Sequence, residues 1–226
     1  QLASCLKASG FGDAVRNCTA IIEDKETKDD DRASALTIRS LASINLGKPE
    51  DGIADAEQAM QINSSDHRPY YLRALAYFTM GQLDRAVADA GQSIKLAASE
   101  PSEANRFMGL HMAHNLRGSI YLRQGHVDEA IKDFWQSIQH NLNDAGPIGN
   151  LASAYLQKGE VDEALRYYEM AMKIDANDAS LYFNRGRAFQ RKGDRASAIE
   201  DYQRAIRLKP DHKESRQALR ELGVAP

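Results

Sequence analysis

Residues 122–134 read LRQGHVDEAIKDF, and residues 156–168 read LQKGEVDEALRYY. A third version, FQRKGDRASAIEDY, occupies 189–202. Their glycines, Gly125, Gly159 and Gly193, are each 34 residues from the next. Gly47 and Gly81 are also 34 apart, but Gly81 and Gly125 are 44 apart. One ten-residue insertion therefore interrupts the array, and it is placed at 101–110, PSEANRFMGL. Self-similarity at a fixed period of this size marks stacked supersecondary units, none of which can bury its apolar face alone.

Composition agrees with stacked helices. The 226 residues are 42% hydrophobic, enough for a sizeable core, and only six are proline. Alanine, leucine and straight-chain polar residues dominate and no long β-branched alternation occurs, which favours helix over strand. A formal charge of −3 gives no reason to expect a nucleic-acid or membrane-surface partner. No stretch reaches the roughly 20 apolar residues of a membrane span. The opening QLASCLKASG lacks the charged start and apolar block of a signal peptide, although Gln1 can follow a removed leader. The acidic run Asp29-Asp30-Asp31 is expected to be a solvated loop.

A 34-residue period carrying a small residue, an aromatic, a turn glycine, then alanine and an aromatic resembles the tetratricopeptide repeat. In the last unit Tyr182, Gly186, Phe189, Gly193, Ala198, Tyr202, Ala205 and Pro210 occupy the signature positions. The resemblance divides the chain into a partial N-terminal unit and acidic loop at 1–32, two units at 33–100, the insertion at 101–110, three units at 111–212 and a capping helix at 213–226. It implies an all-α, right-handed solenoid of antiparallel helix pairs, A and B. Small residues mark where A meets B: Ser40, Ala74, Gly118, Ala152 and Gly186 against Gly52, Ala86, Ala130, Ala164 and Ala198. The first full unit departs most, with Ser43 for the helix-A aromatic and Gly52 for alanine.

Aligning the units reveals a charge pattern. Arg39, Arg73, Arg117 and Arg185 recur on helix A, and Asp55, Asp89, Asp133 and Asp201 lie sixteen residues later on helix B. The fourth unit lacks both, carrying Leu151 and Tyr167. Joint presence and joint loss favour a structural Arg–Asp bridge between A and B over a ligand contact.

At the N-terminus, GFGDAVRNCTAII resembles a helix B and QLASCLKAS the end of a helix A. Cys5 and Cys18, the only cysteines, then fall on facing positions. They are read as a disulfide stapling the end unit, or as two buried thiols. The CTAIIE opening followed by AIEDYQRAIRLKPD-type repeats resembles exported repeat proteins of α-proteobacteria, which implies a periplasmic or envelope location; the alternative is cytoplasmic. At the other end, KESRQALREL forms an amphipathic capping helix, with Ala218, Leu219 and Leu222 inward.

The family resemblance makes helix A the lining of a concave surface. That assigns Ile38, Leu41, Ile44, Tyr71, Leu72, Leu75, Phe78, Asn115, Leu116, Leu122 and Arg123 to a partner-binding face, and Asn150, Asn184, Arg187 and Arg191 continue it. Its first half is apolar and its second half is asparagine-rich and ends in arginines. The matching ligand is a peptide or helix with an apolar anchor and an acidic portion. The alternative is that the apolar residues pack against neighbouring helices. The carboxylate clamp known in the family needs basic residues where this chain has Asn115, Ser119, Ser180 and Asn184. The insertion contributes Phe107, Met108 and Leu110, either as an extension of the next helix or as a loop at the groove edge. Ser102-Glu103 resembles a helix start.

No catalytic chemistry is legible. His111 and His114 could share a helix face, but no further ligand completes a metal set. No phosphate loop, nucleophile elbow or histidine–carboxylate arrangement occurs. The expectation is a non-catalytic protein-interaction scaffold without cofactor or metal. A self-assembling structural protein, forming homo-oligomers, and a targeting module of a larger protein are the alternatives.

Overall fold

The computed structural model describes residues 2–225. The described residues form thirteen α-helices and no strands. They fall into two compact units, one ending at Ile120 and the other beginning at Tyr121, both within one long helix.

Unit 1 contains α1 (Leu2–Leu6), α2 (Phe11–Glu23), α3 (Asp29–Asn45), α4 (Pro49–Ile62), α5 (His67–Thr79), α6 (Leu83–Ala98) and the larger part of α7 (Glu103–Gln124). Unit 2 continues from the end of α7 through α8 (Val127–His140), α9 (Ala145–Lys158), α10 (Val161–Ile174), α11 (Ala179–Lys192), α12 (Arg195–Leu208) and α13 (Lys213–Glu221). Consecutive helices pack together from α1 to α6 and from α8 to α13. Alternate helices also touch, α3 with α5 and α9 with α11.

The period is set at the corners. Gly47, Gly81, Gly125, Gly159 and Gly193 all have positive φ, between 75° and 92°, where a side chain would be strained. At each corner the following residue donates its N–H to the carbonyl five residues back, as Glu160 does to Tyr155 at 2.9 Å. This closes each A helix with a Schellman-type bond. The A helices α5, α9 and α11 begin with aspartate caps. Asp66, Asp144 and Asp178 accept from the backbone N–H groups of Arg68, Gly146 and Ser180.

Small residues bring the pairs together. Ser40 Oγ donates to the Gly52 carbonyl at 2.7 Å. A Cβ on Gly52 would lie 2.6 Å from Ile44 Cγ1, so the departure from alanine there accommodates Ile44. A Cβ on Gly186 would lie 2.7 Å from the buried Tyr202 ring. In unit 2, Phe134, Leu151 and Tyr168 fill one core with the alanines of α8 to α10. The cap α13 buries Leu219 against Ala198 and Tyr202.

One expectation changes. Asp29, Asp30 and Asp31 are not a loop: they form the first turn of α3, where exposed carboxylates favour the positive end of the helix dipole. The insertion takes the first of its two alternatives, an extension of the next helix. It extends α7 from Glu103, with Ser102 Oγ accepting from the Asn105 N–H at 3.4 Å.

Candidate functional site

The arginine pattern resolves into bidentate pairs wherever both partners lie within one unit. Arg39 Nε and Nη2 donate to Asp55 at 2.8 and 2.7 Å. Arg73 grips Asp89 in the same way at 2.7 and 2.9 Å, and Arg185 grips Asp201 at 2.8 and 2.7 Å. The carboxylates are buried, with 4–11% side-chain exposure, and the guanidiniums are about a fifth exposed. The hydrogen bond to its aspartate raises each arginine's pKa above the ordinary value, against the opposing effect of burial. In the fourth repeat Leu151 is fully buried and Tyr167 stacks on Tyr155 at 5.2 Å, meeting Trp135 edge-on at 5.8 Å. An apolar and aromatic pair thus replaces an ionic one.

The third guanidinium nitrogen makes a contact that sequence reading did not anticipate. Arg39 Nη1 donates to Thr19 Oγ1 on α2 at 2.8 Å, and Arg73 Nη1 donates to Glu57 on α4 at 3.0 Å. Glu23, Glu57 and Glu169, each sixteen residues before its arginine, all raise that arginine's pKa. The signal was an acidic residue repeating at that offset.

At the N-terminus Cys5 and Cys18 are joined by a disulfide, with Cα atoms 5.0 Å apart, and both are buried beside Ile21 and Ala35. Asn17 Nδ2 donates to the Ser4 carbonyl at 2.9 Å, a second tie between α1 and α2.

The residues assigned to the partner face divide by burial. Ile44, Leu72 and Leu116 are buried, and Leu75 and Phe78 pack against the cluster of Tyr77, Ala86 and Ile120. Their spacing puts them on helix A, but neighbouring helices cover that side of it. Ile38 and Tyr71 are half-buried and Leu41 is exposed. These three line a cleft of about 610 Å³ in unit 1, together with Met108 and Met112 of α7. Burial raises the Tyr71 pKa and lowers that of His67, whose ring forms part of the wall. Met112 was missed because it falls outside the repeat signature.

In unit 2 a polar cleft of about 350 Å³ is lined by Leu122, Ser153, Gln157, Tyr168, Asn184, Arg187 and Arg191, with no acidic residue. Ser153 and the Tyr168 hydroxyl are hydrogen-bonded at 2.8 Å, and burial pushes the Tyr168 pKa up to about 12. Arg191 donates to the Leu156 carbonyl. Arg187 is exposed and makes no ion pair among the described residues. Asn115 and Asn150 are half-buried and Arg123 is exposed. His111 and His114 are buried on α7, and no cluster of three or more metal-ligating groups exists among the described residues. No described helix is long and apolar enough to cross a membrane.

The tetratricopeptide repeat family matches residues 71–145 and, again, residues 151–222. The chain belongs to the tetratricopeptide repeat family. No curated protein matches it. Among solved structures, YrrB, described as a TPR protein with an unusual peptide-binding site, is 19% identical with a TM-score of 0.58. The match covers 92% of this chain and 100% of YrrB. MamA from Desulfovibrio magneticus is 19% identical with a TM-score of 0.63, over 80% of this chain and 97% of that one. TTC0263, a thermophilic TPR protein of Thermus thermophilus, is 16% identical with a TM-score of 0.66, over 84% and 97%. At these identities the likeness establishes the fold alone: an all-α solenoid of tetratricopeptide type.

Proposed function

We propose that this protein is a non-catalytic scaffold that holds a peptide or helix of a partner protein against the A helices of its repeats, and that part of the bound segment is acidic. The observation that supports this reading is Arg187. It lines a cleft without acidic residues, beside the amide side chains of Asn184 and Gln157, and also a neighbouring cleft of about 570 Å³ that holds Glu214 and Glu221. Amides can hold an extended backbone, and a guanidinium matches a carboxylate. The peptide-binding site named for YrrB fits the same reading. An envelope location is favoured by the buried disulfide, since such bonds persist in oxidising compartments.

The test is selection of a random peptide library on the whole protein, counter-screened with Arg187→Glu after both are shown to be equally folded. The expected result is a set of peptides enriched in aspartate, glutamate or a free C-terminal carboxylate that bind the variant about ten-fold more weakly. Selected peptides without acidic groups, or with unchanged affinity for the variant, would overturn the reading.

A further inference from the structure

Unit 1 exposes seven large apolar side chains, and five of them converge. Leu6, Phe11, Leu41, Met108 and Met112 line two clefts that share Ile38 and Leu41. The larger cleft exists because of the insertion, since the first turns of α7 supply the wall that carries Met108 and Met112. Gly109 lets that wall sit close. A Cβ there would lie 2.6 Å from His67 Cε1 and 3.0 Å from Ala97 Cβ. Met108 is 65% exposed although it faces a cleft of ligand-pocket size.

The charges around the larger cleft do not cancel. Besides His67 and Tyr71, its lining holds Asp66, Arg68 and Glu100, which are charged at neutral pH. Arg68 pairs with Asp66, through Nη2 at 2.6 Å and Nε at 3.0 Å, and the charge of Glu100 also acts on it. Arg106 donates to the Glu100 backbone carbonyl, not to its carboxylate, and does not line the cleft. The Glu100 carboxylate makes no ion pair among the described residues; it accepts only a 3.4 Å bond from the Ser102 N–H.

We infer that the insertion cleft is a second docking site, for an amphipathic helix of a protein partner whose apolar stripe is flanked by lysine or arginine. Apolar anchors at i, i+3, i+4 and i+7 would enter between Leu41, Tyr71 and the two methionines. A cation beside the stripe would meet Glu100. Flexible methionines suit a surface that admits varied apolar side chains. The inference rests on the reading of the A helices as partner-binding faces, but it concerns a different unit and the opposite ligand charge.

The protein carries six methionines, so ¹³C-methyl methionine NMR of the full chain reads the site directly. The probes are a leucine–lysine peptide with leucine at helical i, i+3, i+4, i+7 spacing and the same peptide with glutamate in place of lysine. The lysine peptide is expected to shift Met108 and Met112 while leaving Met170 and Met172 in place. It should bind at least about ten-fold more tightly than the glutamate peptide, and Glu100→Gln should weaken it about three-fold. The peptide-free spectrum of that variant reports that it is folded. Equal binding of both peptides, no effect of Glu100→Gln, or shifts confined to Met170 and Met172 would overturn the inference. Shifts of Met108 and Met112 that depend on protein concentration without peptide would overturn it in favour of a second copy of this chain. None of these outcomes bears on Arg187, so the two readings fail separately.

Discussion

Arg73 Nη1 and Glu57 Oε1 are 3.0 Å apart although they belong to different repeats, while the other two donors of the same guanidinium hold Asp89 within Arg73's own repeat. One side chain thus fastens helix A to its own helix B and to the helix B before it. Removing either partner of the inner pair leaves a largely buried charge exposed to a low-dielectric surrounding. Arg185→Leu is therefore expected to destabilise unit 2 by about 3–5 kcal/mol. Adding Asp201→Tyr, which copies Leu151 and Tyr167, should recover most of that loss in a thermal double-mutant cycle. Additive losses would refute the pairing as the source of stability.

Gly91 occupies the position equivalent to Glu57, and a Cβ built on it lies 3.7 Å from Arg117 Nη1. Gly91→Ala should stabilise unit 1 by close to 1 kcal/mol through helix propensity alone, since Gly91 lies within α6. Gly91→Glu should retain most of that gain and add about 0.2–1 kcal/mol of its own. The additional part should fade in high salt, read as the difference between the two variants in urea melts.

The disulfide closes a loop with a sequence separation of 13. Cys5→Ser with Cys18→Ser is expected to cost about 3 kcal/mol, confined to the N-terminal helices. Amide hydrogen exchange should show α1 and α2 losing protection while α9 to α13 keep theirs. Uniform loss across both units would contradict a local staple.

Burial lowers the His67 pKa below its ordinary 6.5. The unfolded chain therefore takes up the proton first as pH falls. The stabilising contribution is complete above about pH 6.5 and declines on acidification toward the depressed native value. Unit 1 should melt lower at pH 5.5 than at pH 7.5, and His67→Asn should flatten that difference. An unchanged slope in the variant would assign the effect to other groups.

Much of the architecture is legible in the 34-residue spacing because the positive-φ glycines, aspartate caps and small interhelical residues recur with it. The Arg–Asp pattern was readable for the same reason: Leu151 and Tyr167 showed both partners changing together. Availability of side chains for binding was less legible. Leu72 and Leu75 share a helix face with Tyr71, and only packing by neighbouring helices separates the covered from the open. The cleft at Met108 and Met112 was obscure because Met108 lies in an insertion with no period to read and Met112 lies outside the repeat signature. The acidic triplet was misread because a run of charge does not tell a loop from the first turn of a helix.

The sixteen-residue offsets on either side of Arg73 bear on how such a chain can lengthen. A block of one full period contains its own aspartate and borrows its glutamate from the block before. Tandem duplication in whole periods therefore recreates every clasp at the new junction without a compensating substitution. A duplication out of step would strand a guanidinium at the seam. The ten extra residues after Glu100 break that register, and there the contact position holds Gly91 in place of glutamate.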